Sequence, residues 1–155
     1  MPTRFPIRPA RPTDLPAILA LLEGASLPRE GVAEHLEGFF VAESQGSEPP
    51  IVACGGLERY GKSALLRSVA ILPEARGEGL GSRVVEALVA FARREGTDSV
   101  VLLTTTAAAF FPRFGFRVIA RADVPDAVHR SREFQGACPA SATAMRLDLV
   151  PDDSE

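Results

Sequence analysis

The sequence predicts an α/β fold, in the broader α+β sense, with a mixed sheet of about six to seven strands and helices on both faces. Three observations predict it. The length of 155 residues suits one domain. Short apolar or alternating runs follow one another between residues 38 and 72, as in an antiparallel meander. Residues 65–104 then have the pattern of strand, helix and strand, which makes a central βαβ unit with a right-handed crossover.

Composition narrows the classes of function. The net charge is -3 and the chain has no basic run, so we expect neither a nucleic-acid partner nor binding to an anionic membrane surface. No apolar run reaches the ~18 residues that a membrane span needs. The amino terminus lacks the apolar region of a signal peptide, so a cytoplasmic location is expected. The two cysteines lie far apart and there are two histidines, so no metal site is expected.

The amino-terminal half is predicted to hold strands joined by short helices. The Pro-Thr-Asp segment at residues 12–14 can start a helix and cap its free N–H groups, and Gly24 can end it. Gly55 and Gly56 permit a bulge or a close approach within the third strand. The predicted elements are a strand at Phe5–Arg8, a helix ending at Gly24, a short helix at Pro28–Leu36, strands at Gly38–Ser44, Ile51–Tyr60 and Ala64–Leu72, and a loop at Gln45–Pro50.

The carboxy-terminal half alternates helices and strands. Apolar side chains of its first helix recur at spacings of one, three and four, so they share one face. The predicted elements are a helix at 79–95, strands at Ser99–Thr104 and Phe116–Ala120, a short helix at Thr105–Arg113, a helix or loop at Asp123–Gly136 and a last strand at Thr143–Leu149. We expect one domain over residues 5–149, followed by a disordered acidic tail at 150–155.

A glycine-rich turn between Pro73 and the helix at 79–95 is the main functional signal. The first turn of a helix leaves N–H groups without intrahelical partners and carries partial positive charge. Glycines let phosphate oxygens approach the backbone closely. We therefore predict a pyrophosphate cradle formed by Arg76, Gly77, Glu78, Gly79, Leu80, Gly81 and Ser82. The alternative is a turn that needs its glycines only for tight packing.

The spacing of the glycines excludes two better-known phosphate-binding motifs. A P-loop needs a Lys-Ser/Thr pair after its last glycine, whereas Gly81 is followed by Ser82-Arg83. The Rossmann fingerprint needs Gly-x-Gly-x-x-Gly, which Gly77-x-Gly79-x-Gly81 does not match. The remaining pattern, Arg-x-x-Gly-x-Gly after a strand, resembles the acetyl-CoA-binding turn of the GCN5-related N-acetyltransferase (GNAT) superfamily.

Two further segments carry the same resemblance. Residues 110–116 (FFPRFGF) resemble the F-Y-x-x-x-G-F segment of that superfamily, and residues 8–22 (RPARPTDLPAILALL) resemble the amino terminus of many members. Together the similar segments extend over most of the chain. The resemblance implies an acetyl-CoA-dependent N-acetyltransferase that acetylates the amine of a small molecule. The resemblance also makes a homodimer formed through the last hairpin one option for assembly.

The resemblance further implies how acetyl-CoA is bound. Main-chain groups of Val69 and Ile71 would bond the pantetheine arm, and an amide near Val69 would stabilise the oxyanion of a direct transfer. Phe111 stands where many members have the tyrosine that protonates the departing thiolate, and a phenyl ring has no proton to give. Arg113 is expected to meet the cofactor phosphates, with a solvated helix end as the alternative.

The missing tyrosine leaves the role of general acid to a hydroxyl or to water. Ser68 and Thr105 are the predicted hydroxyls, whereas Tyr60, just before a strand turn, is a poor candidate. Glu58 is the predicted base, acting through a water, and its alternative is a solvated carboxylate. Thr104 is expected either to contact substrate and cofactor or to cap the next helix.

Arg67 interrupts an apolar strand, and a buried cation needs a partner. One interpretation is a planar, bidentate clamp for a substrate carboxylate, which would make the acceptor an amino acid or an analogue of one. The alternatives are an exposed edge position or an ion pair with Glu58.

A narrower resemblance is to arsenic-resistance-associated and amino-acid N-acetyltransferases. It is carried by segments 66–70 (LRSVA), 102–107 (LLTTTA) and 138–142 (CPASA), together with Phe134. Cys54 and Cys138 invite a thiol–arsenical interpretation, with a small buried apolar residue as the alternative. Two other functions stay open. The missing acid and base favour a non-catalytic acyl-CoA-binding regulatory domain, and the acidic charge balance would suit a protein N-terminal acetyltransferase with a basic acceptor.

Overall fold

The computed structural model describes residues 5–44, 50–137 and 141–149. Within these ranges, seven strands form one mixed sheet in the order β1-β2-β3-β4-β5-β7-β6. The strands are β1 (Ile7–Pro9), β2 (Phe39–Glu43), β3 (Ile51–Tyr60), β4 (Ser63–Ile71), β5 (Ser99–Thr104), β6 (Arg117–Ile119) and β7 (Thr143–Asp148). The predicted fold class and strand number are therefore confirmed.

In the part of the chain that the structure describes, two α-helices accompany the sheet, α1 at Leu15–Gly24 and α2 at Leu80–Arg94. The apolar spacing that predicted α2 matches the side that the helix buries, since Leu80, Val84, Val85 and Leu88 are all buried. Short 3-10 segments occupy Pro12–Asp14, Ala33–Gly38, Pro73–Ala75, Phe111–Phe114, Arg121–Asp123 and Asp126–Arg130, and a π-type turn occupies Glu133–Ala137. No helix in the described ranges is both long enough and apolar enough to cross a membrane.

Strands β4 and β5 pair in parallel, which confirms the central βαβ unit. The ladder joins Ser63 to Ser99, Ala64 to Val100 and Leu65 to Val101. Just beyond the paired residues, Ser68 adopts φ 64 inside β4. A positive φ in a non-glycine strand residue is uncommon and locally breaks the regular direction of the strand's peptide groups.

The chain divides into two compact units. The first contains Met1–Leu57 and Ser68–Leu88, and the second contains Glu58–Arg67 and Val89–Glu155. The core of the first unit consists of Ile18, Leu21, Leu22, Val32, Phe39, Val41, Ile51, Cys54 and Ala70. The core of the second unit consists of Leu65, Val101, Val124, Val128 and Ala144.

An ion-pair network joins β1, the start of the first helix and β2 within the first unit. The guanidinium of Arg8 donates to the Asp14 carboxylate at 2.8 and 3.1 Å and to Glu43 at 3.0 Å. Asp14 also accepts the backbone N–H of Arg11, the residue before the 3-10 segment Pro12–Asp14, at 2.7 Å. Its side chain makes no cap bond to α1, so the cap that the sequence offered at Asp14 is not formed on that helix. The hydrogen bond from Arg8 is the main reason that the pKa of Asp14 lies below its ordinary value.

The predicted helix at Thr105–Arg113 is wrong. The segment forms bends and turns, followed by one 3-10 turn at Phe111–Phe114. Pro112 removes a backbone donor and disfavours helical geometry in the residue before it, so an α-helix cannot run through this point. The predicted short helix at Pro28–Leu36 is replaced by the 3-10 segment Ala33–Gly38. Residues 45–49 of the predicted loop, Cys138 and the predicted tail at 150–155 lie outside the described residues.

Candidate active site

The glycine-rich turn before α2 is exposed and conformationally specialised. Gly77 and Gly79 adopt φ 86 and φ 75, the left-handed region that side-chain-bearing residues rarely enter. A Cβ built on either glycine would meet no atom within 4 Å. Residues 76–79 are all exposed. The turn therefore requires glycine for its backbone shape, and the space around it is open.

Glycines elsewhere in the first unit show what tight packing looks like. A Cβ on Gly55 would lie 2.6 Å from Cγ1 of Val84 and 3.0 Å from Cδ1 of Leu88, and one on Gly56 would overlap the ring of Phe39. These β3 glycines permit the close approach that the sequence predicted. The contrast argues against the packing alternative for Gly77 and Gly79.

The turn leads directly into the first amides of α2. The N–H of Arg83 donates to the carbonyl of Gly79 at 3.2 Å, which makes Gly79 the residue that caps α2. The N–H groups of Leu80, Gly81 and Ser82 precede that first intrahelical bond and have no intrahelical acceptor. With the helix dipole, these groups are the basis of the anion-binding cradle that the sequence predicts, and Arg76 and Glu78 are exposed beside them. Binding of an anion here stays a prediction.

The carboxy-terminal part of β4 carries the predicted pantetheine-binding positions. Residues 64–68 of the strand are buried, whereas Val69 and Ile71 are only half-buried. Ser68 is itself buried and holds the positive φ. A non-glycine residue in this conformation stores on the order of 1–3 kcal/mol of strain and often lies at a functional site.

The carbonyl of Ser68 accepts a hydrogen bond from the thiol of Cys54, with Sγ 3.3 Å from the oxygen. Cys54 lies on β3 and is completely buried. For this residue the structure shows the small buried side chain that the sequence offered as the alternative to an arsenical-binding thiol. Cys138, its proposed companion, lies outside the described residues.

A buried charge cluster forms in the second unit. Arg67 pairs with Glu58 through Nη1 and Oε2 at 2.6 Å, and with Glu133 through Nε and Oε2 at 3.4 Å. The side chains of Arg67 and Glu58 are 0% exposed and that of Glu133 is 4% exposed. The ion pair with Glu58 that the sequence raised as an alternative is thus present, and an exposed edge position for Arg67 is wrong.

Glu58 is a buried carboxylate held in its charged form. Burial raises its pKa, but hydrogen bonds from Tyr60, Ser131 and Arg67 together outweigh that effect, so the pKa lies below its ordinary value. The Tyr60 hydroxyl donates to Glu58 at 2.6 Å. The solvated-carboxylate alternative is therefore wrong for Glu58, and the low pKa makes it a weak base.

Tyr60 holds its proton firmly. Burial, followed by the hydrogen bond to Glu58, raises the pKa of its hydroxyl above the ordinary value. The proton is directed at Glu58, which agrees with the view that Tyr60 is a poor general acid.

Sequence reasoning missed Glu133 and Ser131. Glu133 is the second carboxylate on Arg67, and Ser131 bonds Glu58 and also accepts the backbone N–H of Glu133 at 3.1 Å. Both lie in the polar segment predicted only as a helix or loop. The available signal was the arginine in an apolar strand, because a buried positive charge needs an acidic partner. This signal does not identify which acidic residue of the chain is the partner.

The remaining predicted residues lie at the end of β5 and in the turn after it. The hydroxyl of Thr104 accepts the N–H of Ala107 at 2.9 Å and so caps this turn, while Thr105 is exposed. Phe111 is buried and packs edge-to-face against Phe110 and Phe116, with ring centroids 5.1 and 5.7 Å apart. Here the aromatic ring that replaces the usual tyrosine is part of the core.

Arg113 is exposed, and its guanidinium lies over the ring of Phe110, 4.7 Å from the centroid. This is the solvated position that the sequence offered as the alternative to a phosphate contact. The phosphate contact stays a prediction.

Comparison with known proteins gives the class. The chain matches the acetyltransferase (GNAT) domain family over residues 35–118, more than half of its length. It is 34% identical to an uncharacterized N-acetyltransferase of Chlorobaculum tepidum, over 80% of this chain and 83% of that protein. It is 32% identical to an amino-acid acetyltransferase of Mycobacterium tuberculosis, over 73% of this chain and 68% of that protein.

Solved structures agree with the assignment. A Mycobacterium tuberculosis protein in complex with CoA superposes with a TM-score of 0.78 at 27% identity, covering 94% of this chain and 99% of that one. The N-acetylglutamate synthase of Neisseria gonorrhoeae shares the fold, with a TM-score of 0.80 at 22% identity, but this chain spans only 36% of its length.

The fold and these relatives define an N-acetyltransferase. The chain belongs to the GNAT acetyltransferase family. The family and the enzyme class predicted from the sequence are therefore confirmed.

Proposed function

We propose that the protein transfers the acetyl group of acetyl-CoA to the amine of a free amino acid or of an analogue that carries a carboxylate. The assignment of acetyl-CoA as the acyl donor rests on the open turn at Gly77 and Gly79. The backbone conformation of this turn leads into the first amides of α2, which have no intrahelical acceptors. A diphosphate is the type of ligand that such a helix end attracts. The acceptor class is supported by the amino-acid acetyltransferase relative of Mycobacterium tuberculosis.

The transfer is a direct attack. A deprotonated amine attacks the thioester carbonyl, and the N–H of Val69 stabilises the tetrahedral oxyanion. The carbon–sulfur bond then breaks, CoA leaves as a thiolate, and the nitrogen loses its extra proton to water. Since Phe111 has no proton to give, the thiolate takes its proton from water or from a hydroxyl, for which Ser68 and Thr105 stay the predicted candidates.

Arg67 binds the acceptor carboxylate by exchanging one of its own partners. Its contact with Glu58 measures 2.6 Å and its contact with Glu133 measures 3.4 Å, so Glu133 is the partner that a substrate carboxylate would replace. The exchange keeps the guanidinium paired with two carboxylates. It requires the displaced Glu133 carboxylate to reach solvent or to take up a proton, because a buried charge without a partner is costly.

The experiment is a panel of free amino acids, carboxylate-free amines and short peptides, assayed for release of free CoA. The shift in melting temperature caused by acetyl-CoA is measured in parallel. We expect a shift together with turnover on free amino acids. A shift without turnover on any amine would favour a non-catalytic acyl-CoA-binding regulatory domain. Turnover on peptides alone would favour a protein N-terminal acetyltransferase.

The arsenic-resistance subtype, the cytoplasmic location, the homodimer and the single domain over residues 5–149 stay predictions. An amino acid that carries a methylated arsenic group can be added to the same panel. Preferred turnover on an arsenical over its carbon analogue would support that subtype.

A further inference from the structure

The thiol of Cys54 is held against one particular peptide group of β4. Its Sγ lies 3.3 Å from the carbonyl oxygen of Ser68, and both residues are buried. The carbonyl of Ser68 and the N–H of Val69 belong to the same peptide unit, which is planar, so fixing one group fixes the other. In a trans peptide they point in opposite directions, so the N–H of Val69 points away from the thiol.

This peptide unit is the one that follows the strained residue. Ser68 adopts φ 64, and a side chain disfavours that conformation because it crowds the neighbouring carbonyl. A strained backbone conformation of this kind persists only where surrounding contacts hold it in place. The thiol is such a contact, because it lies on the carbonyl that the unusual φ has turned.

We propose that Cys54 is a positioning residue for acetyl transfer: its thiol holds the Ser68–Val69 peptide so that the Val69 N–H is aimed at the oxyanion. The inference rests on the proposed function, since it assigns the Val69 amide to the thioester carbonyl. Oxyanion donors work because they are aligned before the reaction begins, so a loosened peptide lowers kcat more than it weakens binding of acetyl-CoA.

Substitutions at Cys54 separate positioning from packing because the two roles rank them in opposite orders. Cys54→Ser keeps a donor but places a more polar group in an apolar core. Cys54→Val and Cys54→Ala keep an apolar side chain and lose the donor. If Cys54 served only to pack, valine and alanine would preserve kcat best and serine would be the worst replacement.

Positioning predicts the reverse order. For Cys54→Val and Cys54→Ala we expect kcat to fall by about 3- to 10-fold, the scale of one net hydrogen bond. The KM for acetyl-CoA and its thermal shift should stay unchanged. Cys54→Ser should keep kcat within about twofold of the parent enzyme, although its melting temperature falls. Having both Val and Ala variants leaves a donor-free protein to test if one of them does not fold.

Val41→Ala is the matched control. Val41 is the cross-strand partner of Cys54, is completely buried and belongs to the same core cluster. Its truncation should lower the melting temperature and leave kcat unchanged. Parent-like kcat in both donor-free variants, or a kcat for Cys54→Ser below theirs, would overturn the proposal.

A second readout does not depend on turnover. The backbone amide resonance of Val69 is followed by NMR during titration with acetyl-CoA. We expect a shift in the parent protein and in Cys54→Ser that is diminished in Cys54→Val. The same shift in all three would overturn the positioning role. A parent protein that binds acetyl-CoA but acetylates no amine would refute the proposed function, and the Val69 resonance would still decide the role of Cys54.

Discussion

The glycine turn before α2 and the charge cluster around Arg67 are built on opposite principles. The turn is exposed, has open space at Gly77 and Gly79, and presents main-chain N–H groups fixed by backbone conformation. The cluster is buried, and the opposite charges of Arg67, Glu58 and Glu133 compensate one another. In the turn, the first main-chain N–H groups of α2 lack intrahelical acceptors, which is the basis of the predicted anion site. In the cluster, each charge already has a partner within the protein.

This difference predicts how each region responds to substitution. Changes in the turn should affect ligand binding far more than folding, because little packs against it. Changes in the cluster should affect folding strongly, because removing one buried charge leaves another without compensation.

The largest effect is expected from Arg67→Ala. Loss of the guanidinium leaves two buried carboxylates, and breaking a buried pair in this way costs about 3–5 kcal/mol of unfolding free energy. Denaturant unfolding measures it. Arg59→Ala is the matched control, because Arg59 pairs with Glu95 at a similar distance of 3.0 Å but both side chains are exposed. That variant should lose only ~0–1 kcal/mol. Equal losses in the two variants would show that burial of the cluster contributes nothing.

A loss of activity in Arg67→Ala would not by itself demonstrate a substrate clamp. The buried pairing means that such a variant can be inactive because it is partly unfolded. Its activity is therefore informative only when its folded fraction is measured in the same buffer.

The next effect is expected from Gly79→Ala. Forcing a side chain into φ 75 costs about 1–2 kcal/mol. The change should also abolish the thermal shift caused by acetyl-CoA, because it alters the turn that leads to the free amides. Gly96→Ala is the control. Gly96 has φ 78, follows the other end of α2 and likewise has no atom within 4 Å of a built Cβ.

The two glycine variants should therefore lose similar stability but differ in binding. Gly96→Ala should keep the full acetyl-CoA shift. A parallel loss or a parallel retention of the shift in both variants would contradict a special role for the turn.

The stability that the charge cluster contributes should depend on pH, which distinguishes the cluster from the glycine turn. The folded-state pKa of Glu58 lies below the ordinary value of 4.5. The charged cluster therefore stabilises the fold fully above that pH, and this contribution is lost as the pH falls through the lower, folded-state pKa. Glu58→Gln cannot titrate there. Its deficit in unfolding free energy relative to the parent should shrink as the pH is lowered below about 4.5, and a deficit that grows on acidification would refute the charged state.

The smallest effect is expected from Glu133→Gln. Removing the charge of the more distant partner of Arg67 frees positive charge for a substrate carboxylate. The KM for an amino acid should fall by roughly two- to fivefold, the scale of one net hydrogen bond. The KM for a carboxylate-free amine should not change. Unchanged KM values for both amines would argue that substrate does not reach Arg67.

The comparison of the two regions also explains what the sequence could reveal. The turn is local, and its residues follow one another between Arg76 and Ser82, so motif and helix periodicity predicted it. The strands and α2 were predicted for the same reason, since each has its own apolar repeat. The partner of Arg67 at Glu133 lies far along the chain in a segment without periodicity, and only the folded structure brings the two together.

Two other features were hidden for related physical reasons. The positive φ of Ser68 has no residue-type signal, because glycine is the usual mark of that conformation and serine is not. The apolar residues of Thr105–Arg113 predict a helix, but the proline at position 112 removes a backbone donor and disfavours helical geometry in the residue before it. A single helix-breaking residue therefore determined the backbone conformation of this segment, against the local apolar pattern.

The central claim is that the amides from Gly77 to Ser82 hold the diphosphate of acetyl-CoA. The most direct measurement is an NMR titration of the isotope-labelled protein with CoA, which follows each backbone amide. The account predicts that the largest shifts fall on Gly77 to Ser82, with no comparable change at Gly61 or Gly96, whose φ angles are also positive. Binding of CoA that leaves the Gly77–Ser82 amides unperturbed while others shift would contradict it.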